Sequence, residues 1–412
     1  MNLDKKRWIV LIAGCLVNLC IGSLYSWSVF STPMADYLNN LNGLTGAAAV
    51  TGSSLSIVFT LTNIVAPTLI IFGGLFNDRF NPKWIIFVGG IFFGLGMMLS
   101  SIATSAGFLC FGYSLFCGMG SGLSYSSTVN TAVSFFPDKR GLIGGICTAT
   151  YGFSSVITPL IANRLINTVG IIKTFRILGV AYWILICGSA MFLTKCPADY
   201  VPAGWNPPLV NNRVNAKKDY TTKEMVCTSD FYIMFLLLLC GAFAGSMAIS
   251  QAAQIAQTMV GMTASAAAVV VSVLAMFNAA GRVLSGFVSD KIGRGNTLLI
   301  ACIAAIAATL ALIFFGEGNT VVFVICISVI GYCFGSFLGV YPGYTVDRFG
   351  SKYSGLNYGI MFIGFGVAGS CAPLIATKIF SSLGSYRPAF VVAAAINVCG
   401  LILSRVVIKK QI

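Results

Sequence analysis

The chain has no histidine, and Asp, Glu, Lys and Arg together make up only 9% of its 412 residues. Without histidine there is no serine–histidine catalytic pair, and the sequence shows neither paired catalytic carboxylates nor a spacing typical of metal ligands. The 14 cysteines lie mostly in apolar segments, where cysteine acts as a small buried hydrophobic residue, so we expect no disulfide framework. The sequence therefore predicts a protein that is not an enzyme and has no catalytic residue, metal site or cofactor.

Long apolar segments dominate the chain instead. Hydrophobic residues make up 57% of it, and runs longer than about 18 apolar residues recur, which is more than one soluble core can bury. The first run is too long and too poorly terminated for a cleaved signal peptide. We predict an all-α polytopic membrane protein with twelve transmembrane helices, near residues 8–30, 47–72, 84–103, 108–136, 142–162, 177–193, 231–249, 264–288, 297–315, 321–344, 355–380 and 389–407.

One polar segment is long enough to separate two domains. Residues 195–230 contain four prolines and mixed charges, as expected for a linker. We therefore predict an N-terminal six-helix bundle at 1–194, a cytoplasmic linker at 195–230 and a C-terminal six-helix bundle at 231–412. The first outer loop, 31–46, then carries a single charge, Asp36.

The basic residues indicate topology. The net charge is +14, but the cations are dispersed through short loops and not clustered as a nucleic-acid-binding face requires, so we expect no nucleic-acid partner. Cytoplasmic loops carry the excess of Lys and Arg, and we predict a multi-pass protein of the inner (plasma) membrane with both termini in the cytoplasm. Of the 25 basic residues, all but six fall on that side, the exceptions being Arg164, Lys173, Arg176, Lys378, Arg387 and Arg282.

A charged loop occurs twice, with its aspartates 212 residues apart. The first copy reads GLFNDRFNPK from Gly74 to Lys83, and the second reads GFVSDKIGR from Gly286 to Arg294. Each follows the second span of its half, which indicates a duplicated six-helix unit. Parallel repeats of this kind are typical of transporters that rock about a site near the middle of the membrane.

Arg282 is the one basic residue placed deep inside a predicted span, since Lys378 and Arg405 lie two residues from the ends of theirs. It lies roughly 12 Å before Asp290 at about 1.5 Å per residue, and the 212-residue offset matches it to Ile70, so the cation is absent from the first repeat. Intramembrane arginines usually face a cavity and serve a substrate path, which predicts an anionic substrate. Asn278, one turn earlier, can orient the guanidinium or bind a carboxylate oxygen itself. The alternative is that Arg282 caps carbonyls of a neighbouring helix and only holds the bundle together.

At the two loops the chain resembles the major facilitator superfamily, whose cytoplasmic loop motif reads roughly Gly-x-x-x-Asp-Arg/Lys-x-Gly-Arg/Lys. The second copy is complete, whereas the first has Asn81 in place of glycine and an inserted Pro82. The resemblance implies the twelve-helix fold of that superfamily and a gating role for its loop charges, here Asp78, Arg79, Asp290 and Arg294. Charges that are merely solvated are the alternative.

More closely, the chain resembles the oxalate/formate antiporter family, which is related to animal monocarboxylate carriers. In that family an arginine at the position of Arg282 binds a substrate carboxylate, and tyrosines at the positions of three residues here line the cavity. The resemblance rests on Tyr25-Ser-Trp27-Ser, Asn130-Thr-Ala, Phe136 to Gly141, Tyr151-Gly, Asn278-x-x-x-Arg282, Gly286 to Arg294 and Asn357-Tyr-Gly, and the implied tyrosines are Tyr25, Tyr125 and Tyr151.

The chain departs from oxalate carriers at three positions. Phe365 stands where those carriers have a second cation, a lysine, and Phe334 and Leu338 stand where they place further aromatic residues. A dianion facing one arginine would keep one charge unpaired at a cost of several kcal/mol. We therefore expect a monocarboxylate such as formate, lactate or pyruvate, with Phe365 and Leu338 as an apolar wall. An oxalate/formate type of dicarboxylate antiporter is the alternative.

Energy coupling is left open by the sequence. There is no phosphate-cradling loop, so transport should be secondary and alternate access between the two sides. Animal monocarboxylate carriers have an aspartate at the position of Asn278 and a lysine near Val29, so their proton machinery does not transfer. Proton symport and anion exchange both remain possible. We expect a monomer contacting membrane lipids, a small carboxylate anion and, in symport, protons. The same scaffold could instead serve a carrier of neutral solutes or a nontransporting sensor.

Overall fold

The computed structural model describes residues 3–52, 54–197, 200–202, 205 and 219–410. Within these ranges the regular structure is helical and no strand is assigned. The helices are α1 (Leu3–Ile21), α2 (Trp27–Asn42), α3 (Ser56–Arg79), α4 (Pro82–Ser100), α5 (Ala106–Leu109), α6 (Gly118–Phe135), α7 (Arg140–Val169), α8 (Ile171–Ala190), α9 (Thr222–Val226), α10 (Ser229–Val260), α11 (Ala264–Ile292), α12 (Arg294–Phe315), α13 (Thr320–Phe349), α14 (Ser354–Met361), α15 (Ile363–Leu383) and α16 (Arg387–Lys410).

Two irregular segments join consecutive helices into longer continuous helical segments. A 3₁₀ segment at Gly22–Ser26 connects α1 to α2, and a π-helical segment at Cys110–Cys117 connects α5 to α6. Counted this way, twelve helical segments of the described chain are long and apolar enough to cross a membrane. The prediction of an all-α protein with twelve spans is confirmed.

The loop predicted to follow the first span is shorter than expected. The sequence placed 31–46 in a loop, but α2 runs through Asn42, and Asp36 lies on that helix. The helix persists because Met34, Ala35 and Leu38 continue its buried face at helical spacing. The predicted start of the second span at residue 47 is also wrong, since Gly46–Ala48 is a 3₁₀ turn and α3 begins at Ser56.

The chain divides into two compact units. One consists of residues 1–135 with 150–205, and the other of 136–149 with 206–412. The second unit therefore includes the first ten residues of α7, which the division by sequence places in the first bundle. The linker at 195–230 falls partly outside the described residues. Its described end, at 219–228, belongs to the second unit, where the Tyr220 backbone N–H donates to Phe349 O at 2.9 Å.

Candidate functional site

Arg282 lies in the second unit, on α11, and is 5% exposed. Its Nε donates to Asn278 Oδ1 at 3.0 Å, one helical turn earlier. Its Nη1 donates to the backbone oxygen of Thr148, on the first part of α7, at 2.6 Å. The guanidinium is thus held between an amide of its own helix and a carbonyl of a packed neighbour.

These two bonds use only part of the guanidinium, which has five N–H donors. Nη2 donates no hydrogen bond to the described part of the chain. It is not fully buried, because it is absent from the set of described polar atoms that are both fully buried and without a partner. No carboxylate in the described ranges forms an ion pair with Arg282. The bond to the Thr148 carbonyl is the contact expected if Arg282 only holds neighbouring helices together. The charge of Arg282, however, has no counter-ion among the described residues.

The backbone of Arg282 is clamped by two glycines of neighbouring helices. A Cβ on Gly339 of α13 or on Gly145 of α7 would lie 2.2 Å from the Arg282 carbonyl oxygen. In the same way, a Cβ on Gly335 would lie 2.0 Å from the Asn278 carbonyl oxygen. Only glycine allows helices to approach this closely, so α11 is fixed on both sides at the level of the candidate site.

Below Arg282, one further turn along α11, lies a polar cluster that sequence reasoning missed. The hydroxyls of Ser285 and Ser336 are 2.6 Å apart, and Ser285 Oγ donates to Tyr332 Oη at 3.3 Å. Ser336 Oγ also donates to Tyr332 O at 2.9 Å. Each of these residues is common in membrane helices, and none carries a sequence signal that distinguishes it.

The aromatic residues expected beside the substrate occupy α13 and α15. The rings of Phe334 and Phe365 are in contact, with centroids 5.7 Å apart, and Phe365 stacks on Phe362 at 4.6 Å. Phe334 and Leu338 are buried. The structure therefore brings Phe334 and Phe365 together as one apolar surface of the second unit.

The three predicted tyrosines meet within the first unit. Tyr151 contacts Tyr25 with ring centroids 5.3 Å apart and Tyr125 with centroids 5.0 Å apart, both edge to face. Tyr25 lies on the 3₁₀ segment and is 40% exposed, whereas Tyr125 is buried. The hydroxyl of Ser121 lies 3.4 Å from that of Tyr151. The cluster thus presents both aromatic edges and hydroxyl groups.

The second charged loop forms an ion network in the second unit. Arg294 pairs with Asp290 at 2.7 Å and with Asp347 at 3.0 Å, and Asp347 also pairs with Arg140 at 2.7 Å. Asp290 accepts the backbone N–H groups of Gly141 and Leu142, each at 2.9 Å. These are first-turn donors of α7, which have no partner in their own helix, so Asp290 caps α7 from a different helix.

The first charged loop has a different local structure. Asn81 has φ −72°, whereas Gly293, at the corresponding place, has φ +90°, a conformation that favours glycine. Arg79 is exposed, and Lys195 donates to the backbone oxygen of Asp78 at 2.9 Å. The substitution of asparagine for glycine and the inserted proline therefore coincide with a changed turn.

Two further features bear on the site. Asn357, from the stretch that supports the resemblance, is fully buried and donates to Tyr220 O at 2.9 Å while accepting from the Thr222 hydroxyl at 2.8 Å, so it fastens the end of the linker.

A groove of about 660 Å³ in the first unit is lined mainly by apolar residues of α3, α4 and α6. It offers no charged group to an anion.

Comparisons with known proteins bear on these observations. The oxalate:formate antiporter of Oxalobacter formigenes is similar, with 28% identity over 413 residues, 98% of this chain and 92% of that protein. The uncharacterized transporter YhjX of Escherichia coli is 28% identical over 370 residues, 90% of this chain and 87% of that protein. Monocarboxylate transporter 9 of Rattus norvegicus is 30% identical over 186 residues, 45% of this chain and 35% of that protein.

Solved structures agree on the fold. FucP in its outward conformation superposes with a TM-score of 0.71 at 14% identity, covering 97% of this chain and 99% of that one. At such identity the likeness establishes the architecture alone. A family model described as Major Facilitator Superfamily matches residues 11–369. This twelve-span membrane protein therefore belongs to the major facilitator superfamily.

Proposed function

We propose that this protein is a secondary transporter of small organic anions in which Arg282 binds the substrate carboxylate. The observation that carries the proposal is a buried guanidinium with no counter-ion among the described residues and with Nη2 not engaged there. A charged arginine at the centre of a transmembrane helix costs about 2.5 to 3.5 kcal/mol on insertion scales. Amide and carbonyl dipoles reduce that cost, but an anion removes the net charge.

Asn278 and Arg282 together suit a carboxylate. The Asn278 carbonyl oxygen fixes Nε, which leaves the outer edge of the planar guanidinium for a carboxylate oxygen. The edge-to-face tyrosines of the first unit, Tyr25, Tyr125 and Tyr151, add hydroxyl donors and apolar ring surface on the proposed path. Their role is supported by their clustering and by the family resemblance.

A monocarboxylate such as formate, lactate or pyruvate fits one cation best. Phe365 replaces the second cation of oxalate carriers, and its contact with Phe334 makes that part of the unit apolar. Leu338 extends the apolar lining. Exchange of oxalate for formate is the second candidate, and it is favoured by the similarity to the Oxalobacter formigenes antiporter over 98% of the chain.

The charged loops are proposed as the gate of an alternating-access cycle. Asp290 and Arg294 hold the start of α7 on α11, and breaking this contact frees α7 to move. Asp78 and Arg79 belong to the corresponding loop of the first unit. The excess of basic residues supports an inner-membrane orientation with both termini in the cytoplasm. Both proton symport and anion exchange are compatible with such a cycle.

The test is uptake into proteoliposomes containing the purified full-length protein. Radiolabelled formate, lactate, pyruvate, acetate and oxalate are compared with and without a pH gradient and with each unlabelled anion inside. We expect Arg282-dependent uptake of at least one monocarboxylate, driven by the gradient in symport or by internal anion in exchange. Equal uptake by wild type and by the Arg282→Ala variant would remove Arg282 from the mechanism.

The choice between one and two substrate charges has its own test. Phe365→Lys adds the missing cation, so competition by oxalate should strengthen relative to lactate by roughly tenfold, about the effect of one partly buried ion pair. Phe365→Met removes the ring without adding charge and serves as the matched control. An unchanged ratio in Phe365→Lys, with uptake retained, contradicts the one-cation account.

A further inference from the structure

We propose that the Thr148 carbonyl is an internal competitor of the substrate for Arg282, so that anion binding loosens the contact between α7 and α11. This inference rests on the proposed anion-binding role of Arg282. It adds a coupling between the binding site and the gate. In this account Thr148 is a positioning residue that holds the guanidinium when the carrier is empty, and Gly145 is one that lets α7 approach the Arg282 backbone.

The geometry that supports this coupling is a continuous seam between the first ten residues of α7 and the second half of α11. At one end, Asp290 caps the Gly141 and Leu142 N–H groups. In the middle, a Cβ on Gly141 would lie 2.3 Å from the Gly286 carbonyl oxygen. At the other end, Gly145 meets the Arg282 backbone, and Thr148 O accepts from Arg282 Nη1.

The seam therefore contains both Asp290, the proposed gating carboxylate, and Arg282, the residue proposed to bind the substrate. The Thr148 oxygen occupies one of the positions from which a carboxylate oxygen would accept a bond from the guanidinium. A carboxylate carries a full negative charge, and a charge-assisted bond is roughly twice as strong as one to a neutral carbonyl. The substrate should consequently displace Thr148 from Nη1 and remove one attachment of α7.

A ligand shifts an equilibrium only as far as it binds one state more tightly than the other. Here the difference is the Nη1 bond itself, because a carboxylate that bridges Nη1 and the unengaged Nη2 must displace the Thr148 oxygen from Nη1. The apparent affinity is reduced by the fraction of carrier in which Nη1 is engaged. Weakening the seam should thus tighten anion binding, whereas damage to a purely structural contact should weaken it.

The first measurement needs no variant. Amide hydrogen exchange of the wild-type protein in detergent is followed for peptides covering 138–149, with and without saturating pyruvate and, separately, oxalate. We expect the anion to accelerate exchange at Gly141 and Leu142 at least twofold, because their donors lie in the seam. Ligands usually protect the elements they contact, so an acceleration is not expected from a structural role.

The matched variants are Gly145→Ala and Gly144→Ala, adjacent positions on α7. A Cβ at 145 would be 2.2 Å from the Arg282 carbonyl oxygen and must push the helices apart, whereas a Cβ at 144 would be 3.2 Å from the Gly339 carbonyl oxygen and needs only a small adjustment. We expect Gly145→Ala to bind pyruvate about five- to tenfold more tightly, in line with the loss of one competing hydrogen bond. Gly144→Ala should stay within twofold of wild type.

The outcomes separate this inference from the proposed function. If pyruvate and oxalate bind and Arg282→Ala abolishes binding, but exchange at 138–149 slows or stays constant, the coupling is wrong and the carboxylate site stands. If neither these anions nor formate or lactate binds to wild type, the carboxylate proposal fails and the coupling with it. If Gly145→Ala does not fold, the wild-type exchange result decides alone.

Discussion

Helices α3 and α11 occupy corresponding places in the two repeats, but one buried position is apolar in α3 and carries a positive charge in α11. Ile70 and Arg282 are matched by the 212-residue offset, and each is 5% exposed. One turn earlier, Ala66 corresponds to Asn278. The packing is shared, since a Cβ on Gly122 of α6 would lie 2.3 Å from the Ala66 carbonyl oxygen, and one on Gly335 of α13 would lie 2.0 Å from that of Asn278.

The comparison teaches that the repeat fixes the helix contacts but not the chemistry placed on them. In the first unit the apolar residue Ile70 fills the matched position. The buried packing at this position therefore does not by itself require the cation Arg282 in the second unit. Arg282 and Asn278 replace residues that would pack at lower cost. A feature that costs stability and is confined to one repeat indicates function.

The largest expected effect comes from making the second repeat like the first. Arg282→Ile should lower uptake of the transported anion at least about 100-fold, as expected when a partly buried charge partner of the substrate is removed. Because isoleucine avoids the desolvation of a charge, the thermal stability of the purified protein should be unchanged or higher. Proteoliposome uptake and thermal unfolding in detergent measure the two quantities.

The control for this exchange is Ile70→Leu, which keeps an apolar residue at the matched place and should leave both quantities nearly unchanged. A clear loss of stability in Arg282→Ile, together with partial uptake, would contradict the comparison. It would mean that the bond to Thr148 O holds the fold together and that Arg282 is structural.

The two charged loops show a second difference between the repeats. Arg294 is largely buried and pairs with two carboxylates, Asp290 and Asp347. Lys83, at the corresponding end of the first loop, makes no ion pair with the described residues, and its Nζ lies 5.2 Å from the centroid of the Trp84 ring. The last cation of the second loop is therefore bound into an ion network, whereas the last cation of the first loop lies beside an aromatic ring.

This difference predicts an intermediate effect on transport. Arg294→Gln removes both ion pairs and should lower the transport rate by about five- to tenfold, the loss expected for a partly buried charge network. Lys83→Gln should stay within about twofold of wild type. Initial uptake rates with equal amounts of protein in liposomes test the pair, and similar losses in both variants would show that the loops act equivalently.

Hydropathy and charge were sufficient to predict the twelve spans, because the length of an apolar helix follows from membrane thickness. They did not predict that α2 continues to Asn42, since its last turns are polar on one side and packed on the other. Arg282 and Asn278 were recognised because a cation in an apolar helix is rare. Thr148 was not, because it contributes a backbone oxygen that every residue possesses.

The glycines of α13 that pack against α11 carried a signal that composition obscured. In α13, Gly331, Gly335, Gly339 and Gly343 recur every fourth residue, a spacing typical of close helix packing in membranes. With 45 glycines in the chain, the spacing is not distinctive without the neighbouring helix. Tertiary packing decides which backbone carbonyls those glycines contact, and these contacts set the geometry of the candidate site.

The smallest expected effect concerns Asn278, the second residue that distinguishes the repeats. Asn278→Ala, which copies Ala66, removes the acceptor that fixes Arg282 Nε at 3.0 Å. Because the charge remains and Asn278 acts on the anion through Arg282, we expect anion affinity to fall by only about two- to threefold, the low end for one hydrogen bond, with little change in the maximum rate. Concentration dependence of uptake separates the two parameters. Asn278→Gln places its amide farther out and should not restore affinity, since the Nε bond depends on a side chain of asparagine length. A fall in maximum rate at constant affinity would instead place Asn278 in the movement of α11.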